Sequence, residues 1–121
     1  MKLPGPDHPI AIVPNKNRVR VIFGGKVIAN TTNALTLTEA SYKPVQYIPR
    51  GDVDMAQLVP TRHATHCPYK GDASYFTIKG SNGKGENAVW SYETPFSAVA
   101  PIAGHLAFYR NRVDAIEEMP S

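Results

Sequence analysis

A chain of 121 residues, 42% hydrophobic and 19% charged, has the size of one domain and can bury about two thirds of the surface its unfolded form exposes. Its net charge of +3, from 13 basic and 10 acidic residues, is small and scattered, which argues against a nucleic-acid partner and mildly favours small anionic ligands. No stretch approaches the ~20 apolar residues of a membrane span, and Met1 to Pro9 hold no apolar leader, so the expectation is a cytoplasmic protein without a membrane partner.

The single cysteine, Cys67, excludes an internal disulfide and a cysteine-rich zinc cage within one chain. Eleven prolines and nine glycines cut the chain into short pieces rich in Val, Ile, Thr, Tyr and Phe, the pattern of a mainly β, antiparallel single domain spanning residues 1–121. Residues 1–9 read as an extended or flexible arm. Residues 18–23 and 26–30 form a hairpin about Gly24-Gly25, whose glycines supply the positive φ angles of a primed turn; that register sets Val21 opposite Ile28. Residues 34–39 alternate Leu35 and Leu37 with Thr36 and Thr38, and residues 45–48 lie between Pro44 and Pro49; both read as strands.

Asp52 is expected to cap a helical turn reaching about Leu58, with Met55 and Leu58 on its inner face and Pro60 stopping it. Residues 74–79 and 88–93 read as a second hairpin across the glycine-rich loop 80–85, with Trp90 and Tyr92 on one face of the second strand. A short turn follows at 99–103. A last hairpin is expected between residues 106–109 and 113–117, turning at Arg110-Asn111-Arg112.

Functional residues gather in the turn His66-Cys67-Pro68-Tyr69-Lys70-Gly71, where a thiol, an imidazole and an ammonium lie together between a Pro and a Gly. His66 and Lys70 beside Cys67 could raise its thiolate fraction, as a nucleophile requires. Three ligands within five residues, His63, His66 and Cys67, would need strain to hold a metal, so neither metal nor cofactor is expected. Lys70 and Arg50 could hold an anionic group, with Gly71 allowing close backbone approach. Trp90, Tyr92 and Tyr109 could wall a pocket with apolar faces and polar tips.

Three other patterns fail on context. Gly83-Lys84-Gly85-Glu86-Asn87-Ala88 meets the loose dinucleotide-binding spacing, but a strand follows where a helix must offer its N-terminus. Lys84 and its glycines also lack the phosphate-loop spacing. Asp52-Val53-Asp54 is explained by capping rather than by Mg²⁺.

Four ordered motifs carry a resemblance: Tyr47-Ile48-Pro49-Arg50-x-Asp52-Val53, Thr65-x-Cys67-Pro68-Tyr69-Lys70-Gly71-x-Ala73-x-Tyr75, Asn87-Ala88-Val89-Trp90-x-Tyr92, and Gly104-x-x-Ala107-Phe108-Tyr109 followed by Val113. Together, over about residues 19–116, they resemble domain-of-unknown-function family 427, sometimes labelled nucleotidyltransferase-like. The resemblance implies a compact bacterial protein of bent antiparallel sheets, similar to the fold of methionine sulfoxide reductase B and the ligand-binding domain of cereblon. It carries no activity over. Common nucleotidyltransferases place Gly-Ser before Asp-x-Asp, whereas Gly80-Ser81 follows Asp52-Val53-Asp54 here. Ile48 and His105 depart from the family pattern, which favours an aromatic at the first position and a tyrosine at the second.

The leading expectation is a binder of an unidentified small molecule, anionic or planar, monomeric or homodimeric. Its pocket would be formed by Arg50, His66, Tyr69, Lys70, Gly71, Trp90, Tyr92 and Tyr109. The alternatives are a small enzyme using Cys67 as nucleophile or redox group, and a protein-interaction module using a strand edge or the Trp90 face.

Overall fold

The computed structural model describes residues 1–80 and 83–121; Ser81 and Asn82, inside the expected glycine-rich loop, lie outside them. Strands β1 (Ile10–Asn15), β4 (Ala34–Glu39) and β5 (Val45–Tyr47) form one antiparallel sheet, in the order β1-β4-β5. A second has the order β10-β2-β3, from β2 (Arg18–Phe23), β3 (Lys26–Thr31) and β10 (Ala115–Met119). The third has the order β6-β7-β8-β9, from β6 (Leu58–Cys67), β7 (Gly71–Ile78), β8 (Val89–Ser91) and β9 (Ala107–Phe108).

Side chains on a strand alternate between faces, and along β7 to β9 both faces are apolar. Phe76, Ile78, Val89 and Phe108 join Val19, Val21 and Phe23 in one core. Ala73, Tyr75 and Ala107, with Trp90 packed against them, join Leu37 and Tyr47 in a second. The four-stranded sheet is therefore flanked by the two three-stranded sheets, one core on each face. Ile48 ties two of the sheets together by exchanging backbone hydrogen bonds of 2.8 Å with Leu106.

The Gly24-Gly25 turn forms as expected, with φ of 58° and 77°. The register beyond it does not. A bulge sets Val21 opposite Ala29 instead of Ile28, and the neighbours Ile28 and Ala29 both sink into the core. Nor does Asp52 cap a helix. It ends a single 3₁₀ turn, Arg50–Asp52, and its carboxylate accepts a 2.7 Å hydrogen bond from Thr31 Oγ1. A separate turn, Met55–Gln57, follows, and Leu58 already begins β6. Met55 and Leu58 do face the core.

Strand β6 runs through Pro60, the expected stop of the helical turn. The ring is tolerated because β6 is an edge strand whose register shifts between Pro60 and Ala64. Pro14 in the edge strand β1 hides that strand in the same way. The expected last hairpin is also corrected: β9 pairs with β8 and β10 with β2, so the 3₁₀ turn Arg110–Arg112 carries the chain from one sheet to another. No helix among the described residues is long and apolar enough to cross a membrane.

Gly85 shows how closely the loop before β8 is packed. A Cβ there would lie 2.6 Å from the Ile78 carbonyl oxygen and 3.0 Å from the Phe23 ring. Backbone cannot yield as a flexible side chain can, so Gly85→Ala should destabilise the fold by about 2 kcal/mol, read as a lower urea midpoint with unchanged slope.

Candidate functional site

The Cys67 turn joins β6 to β7, and the pleat of β6 separates its reactive groups. His66 points outward, its Nδ1 2.7 Å from Asp72 Oδ1 on the facing strand, with both side chains exposed. Cys67, one residue on, is half-buried against the second core. The imidazole therefore does not hold the thiol. Gly71 adopts φ of 111°, a region L side chains rarely enter, and a Cβ there would lie 3.5 Å from the Phe96 backbone nitrogen.

Lys70 is buried and forms an ion pair with Glu39 Oε1. Its ammonium also lies 5.9 Å from the centre of the Tyr92 ring. The other Glu39 oxygen accepts from His8 Nε2 at 2.7 Å, and the His8 ring stacks on Tyr69 with centroids 3.8 Å apart. Residues 1–9, expected as an extended or flexible arm, are thus tied down over this turn. The Lys2 amide donates to the Pro68 carbonyl at 2.7 Å, and Ala40, at a left-handed φ of 47°, donates to Pro9 at 2.8 Å. The turn is closed by its own chain.

Arg50 is similarly engaged, donating to Glu93 Oε2 at 2.7 Å and to the Gly104 carbonyl at 3.3 Å. Tyr92 is buried in the second core. Arg50, His66, Tyr69, Lys70, Gly71 and Tyr92 line none of the cavities described below; Trp90 and Tyr109 do.

Where the three sheets meet, an apolar cavity of about 520 Å³ opens. Val21, Ile48 and Phe108 form its floor, and Trp90 and Tyr109, with ring centroids 4.5 Å apart, form a wall. Trp90 is held there by its indole N–H, which donates to the buried Tyr47 hydroxyl at 3.2 Å. Lys43 and Arg110 also line the cavity, and neither has an ion-pair partner among the described residues.

On the other side of Tyr109 lies a polar cavity of about 480 Å³, lined by His63, Tyr75, Glu86, Asn87, Asn111 and Arg112. Tyr109 and Asn111 belong to both cavities. The hydroxyls of Thr65, Tyr75 and Tyr109 make a chain with spacings of 2.9 and 3.2 Å. Burial, and then the bond to Tyr75, push the Tyr109 phenol up to about 12. Burial also raises the phenols of Tyr47 and Tyr92. Each remains a neutral hydroxyl at pH 7.

Among the described residues, no three His, Cys, Asp or Glu side chains come together as a metal site would require. Sequence reasoning missed Lys43, Glu86, Arg110, Asn111 and Arg112 as site residues. The one usable signal was the Arg110-Asn111-Arg112 triplet, read only as a hairpin turn.

A family model described as a domain of unknown function (DUF427) matches residues 11–119. No curated protein matches the chain.

The Glu39 cluster makes a prediction about pH. Burial alone would raise the Glu39 carboxyl, but the bonds from Lys70 and His8 outweigh it and hold it below its ordinary value. A carboxyl depressed by folding stabilises the native state above its unfolded pKa, and that contribution is lost as pH falls through the folded value, which lies below the ordinary glutamate range. Glu39→Gln leaves the Lys70 charge buried and unpaired. It should lose about 3 kcal/mol at pH 7, and its urea-unfolding free energy should converge with the wild type in acid.

Proposed function

The chain belongs to domain-of-unknown-function family 427, so its activity has to be argued from its own site, and we propose that it binds a small organic acid with a planar or branched apolar body. The observation that carries this reading is the apolar cavity walled by Trp90 and Tyr109, with Lys43 and Arg110 unpaired beside it. Its volume of about 520 Å³ falls in the range of small-molecule sites, which combine mostly apolar walls with a few orienting polar groups. Burial of the body against Trp90, Ile48 and Phe108 supplies the affinity. Two cations not already neutralised favour a negative charge on the ligand, an advantage that Lys70 and Arg50, each held by a carboxylate, do not have.

The binding function expected from the sequence is thus retained in kind but moved from the Cys67–Lys70 turn to the Trp90–Tyr109 wall. The Cys67 enzyme reading loses its activating groups, since His66 turns to Asp72 and Lys70 to Glu39.

Trp90 is the only tryptophan, so its fluorescence reports on the cavity directly. Titration with 3-phenylpropanoate should shift Trp90 emission and raise the melting temperature, while neutral 3-phenylpropanol binds about tenfold more weakly. Trp90→Ala, followed by melting temperature, should abolish the ligand-induced rise. Lys43→Gln with Arg110→Gln should weaken binding about tenfold, and Cys67→Ser should leave it unchanged. No response to the acid at millimolar concentration, or an equal response in the doubly neutralised variant, would overturn the proposal.

A further inference from the structure

Resting on that reading, we infer that the ligand is an apolar α-amino acid whose side chain occupies the Trp90 cavity and whose charged head group reaches past Tyr109 into the polar cavity. The two spaces share Tyr109 and Asn111, and the turn that holds Asn111 places Arg110 on one cavity and Arg112 on the other. A molecule lying across Tyr109 would therefore meet apolar walls and Arg110 at one end, and Arg112 and Glu86 at the other.

The charges in the polar cavity are of both signs. Arg112 and Glu86 line the same space of about 480 Å³, yet they are not paired with each other or with any other charged group among the described residues. A cavity built for a simple anion would be poorly served by Glu86, because a like charge within a few ångströms disfavours the bound form. A zwitterion satisfies both groups: the ammonium donates to Glu86, and the carboxylate lies between Arg112 and Arg110, which one turn presents to the two cavities.

The backbone holds these two groups in place. Glu86 donates its amide to Gly83 at 3.1 Å and follows Gly85, which is wedged against Ile78. After it comes Asn87, at a left-handed φ of 49°, whose side-chain oxygen accepts from Thr61 at 2.7 Å. On the opposite side the Arg112 amide donates to the Tyr109 carbonyl at 3.0 Å. The backbone under both anchors is therefore set before a ligand arrives, and only their side chains have to be ordered on binding.

The hydroxyl chain adds a neutral donor. Thr65, Tyr75 and Tyr109 carry one proton each, and the two bonds between them use two. The third proton is left free to bond outside the chain. His63, edge-on to Tyr75 with centroids 4.4 Å apart, completes that wall.

The test uses the full chain and three compounds sharing one phenyl body: L-phenylalanine, 3-phenylpropanoate, which lacks the amine, and 2-phenylethylamine, which lacks the carboxylate. By Trp90 fluorescence and calorimetry at pH 7, L-phenylalanine should bind at least tenfold more tightly than either partial ligand. Glu86→Gln should abolish its advantage over 3-phenylpropanoate without weakening 3-phenylpropanoate itself. Arg112→Gln should abolish its advantage over 2-phenylethylamine. Glu86 and Arg112 are exposed, so both variants should melt with the wild type, which separates lost recognition from lost folding. If 3-phenylpropanoate binds as tightly as L-phenylalanine, or if Glu86→Gln leaves their ratio unchanged, the amino-acid inference is overturned while the apolar-acid reading stands. If none of the three moves the Trp90 signal, both fall.

Discussion

The whole architecture depends on one constraint: the strands β7, β8 and β9 are apolar on both faces. A strand alternates strictly, so Tyr75 and Phe76, Trp90 and Val89, and Ala107 and Phe108 must enter different cores. Each face then needs a cover, and the two three-stranded sheets provide it. Covering both faces brings β2, β5, β8, β9 and β10 to a common junction, and the apolar cavity lies among their residues.

Charge is distributed around this framework in two ways. Lys70 and Arg50 each meet a carboxylate, and the Glu39 cluster binds the N-terminal segment to the Cys67 turn. Lys43, Arg110, Arg112 and Glu86 stand beside the cavities with no ion-pair partner among the described residues. A cation already neutralised at short range has little left to offer a ligand, whereas an unpaired one beside a cavity retains its charge. The unpaired charges therefore stand about Tyr109 and away from the only thiol.

Local patterns made much of the β-structure legible. Gly24-Gly25 marked a primed turn, the Leu-Thr alternation of β4 marked a half-buried strand, and the residues of β7 and β8 marked an antiparallel pair. Trp90 and Tyr109 were legible as wall residues because large aromatics with polar tips serve both apolar bodies and hydrogen bonds. Strands β1 and β6 were hidden by Pro14 and Pro60, since a proline inside a strand is acceptable only at an edge and edge position is a property of the assembled sheet. The apparent hairpin after Leu106 misled for a related reason. Two short apolar runs about a turn look alike whether they pair with each other or with separate neighbours.

The Lys70 assignment failed to foresee Glu39 because the two residues are 31 positions apart, and no local spacing reports that meeting. The same holds for Glu86 and Arg112, which stand on different loops and come to line one space only in the folded chain. By itself, then, the sequence determined a mainly β chain cut into short strands, a primed hairpin at Gly24-Gly25 and a supply of aromatic, basic and thiol side chains. Those properties follow from backbone preferences and alternation over a few residues. Which charges cancel, which stay open, which strands become edges and where the cavities form were decided only by tertiary structure, because each depends on contacts between residues far apart in the chain.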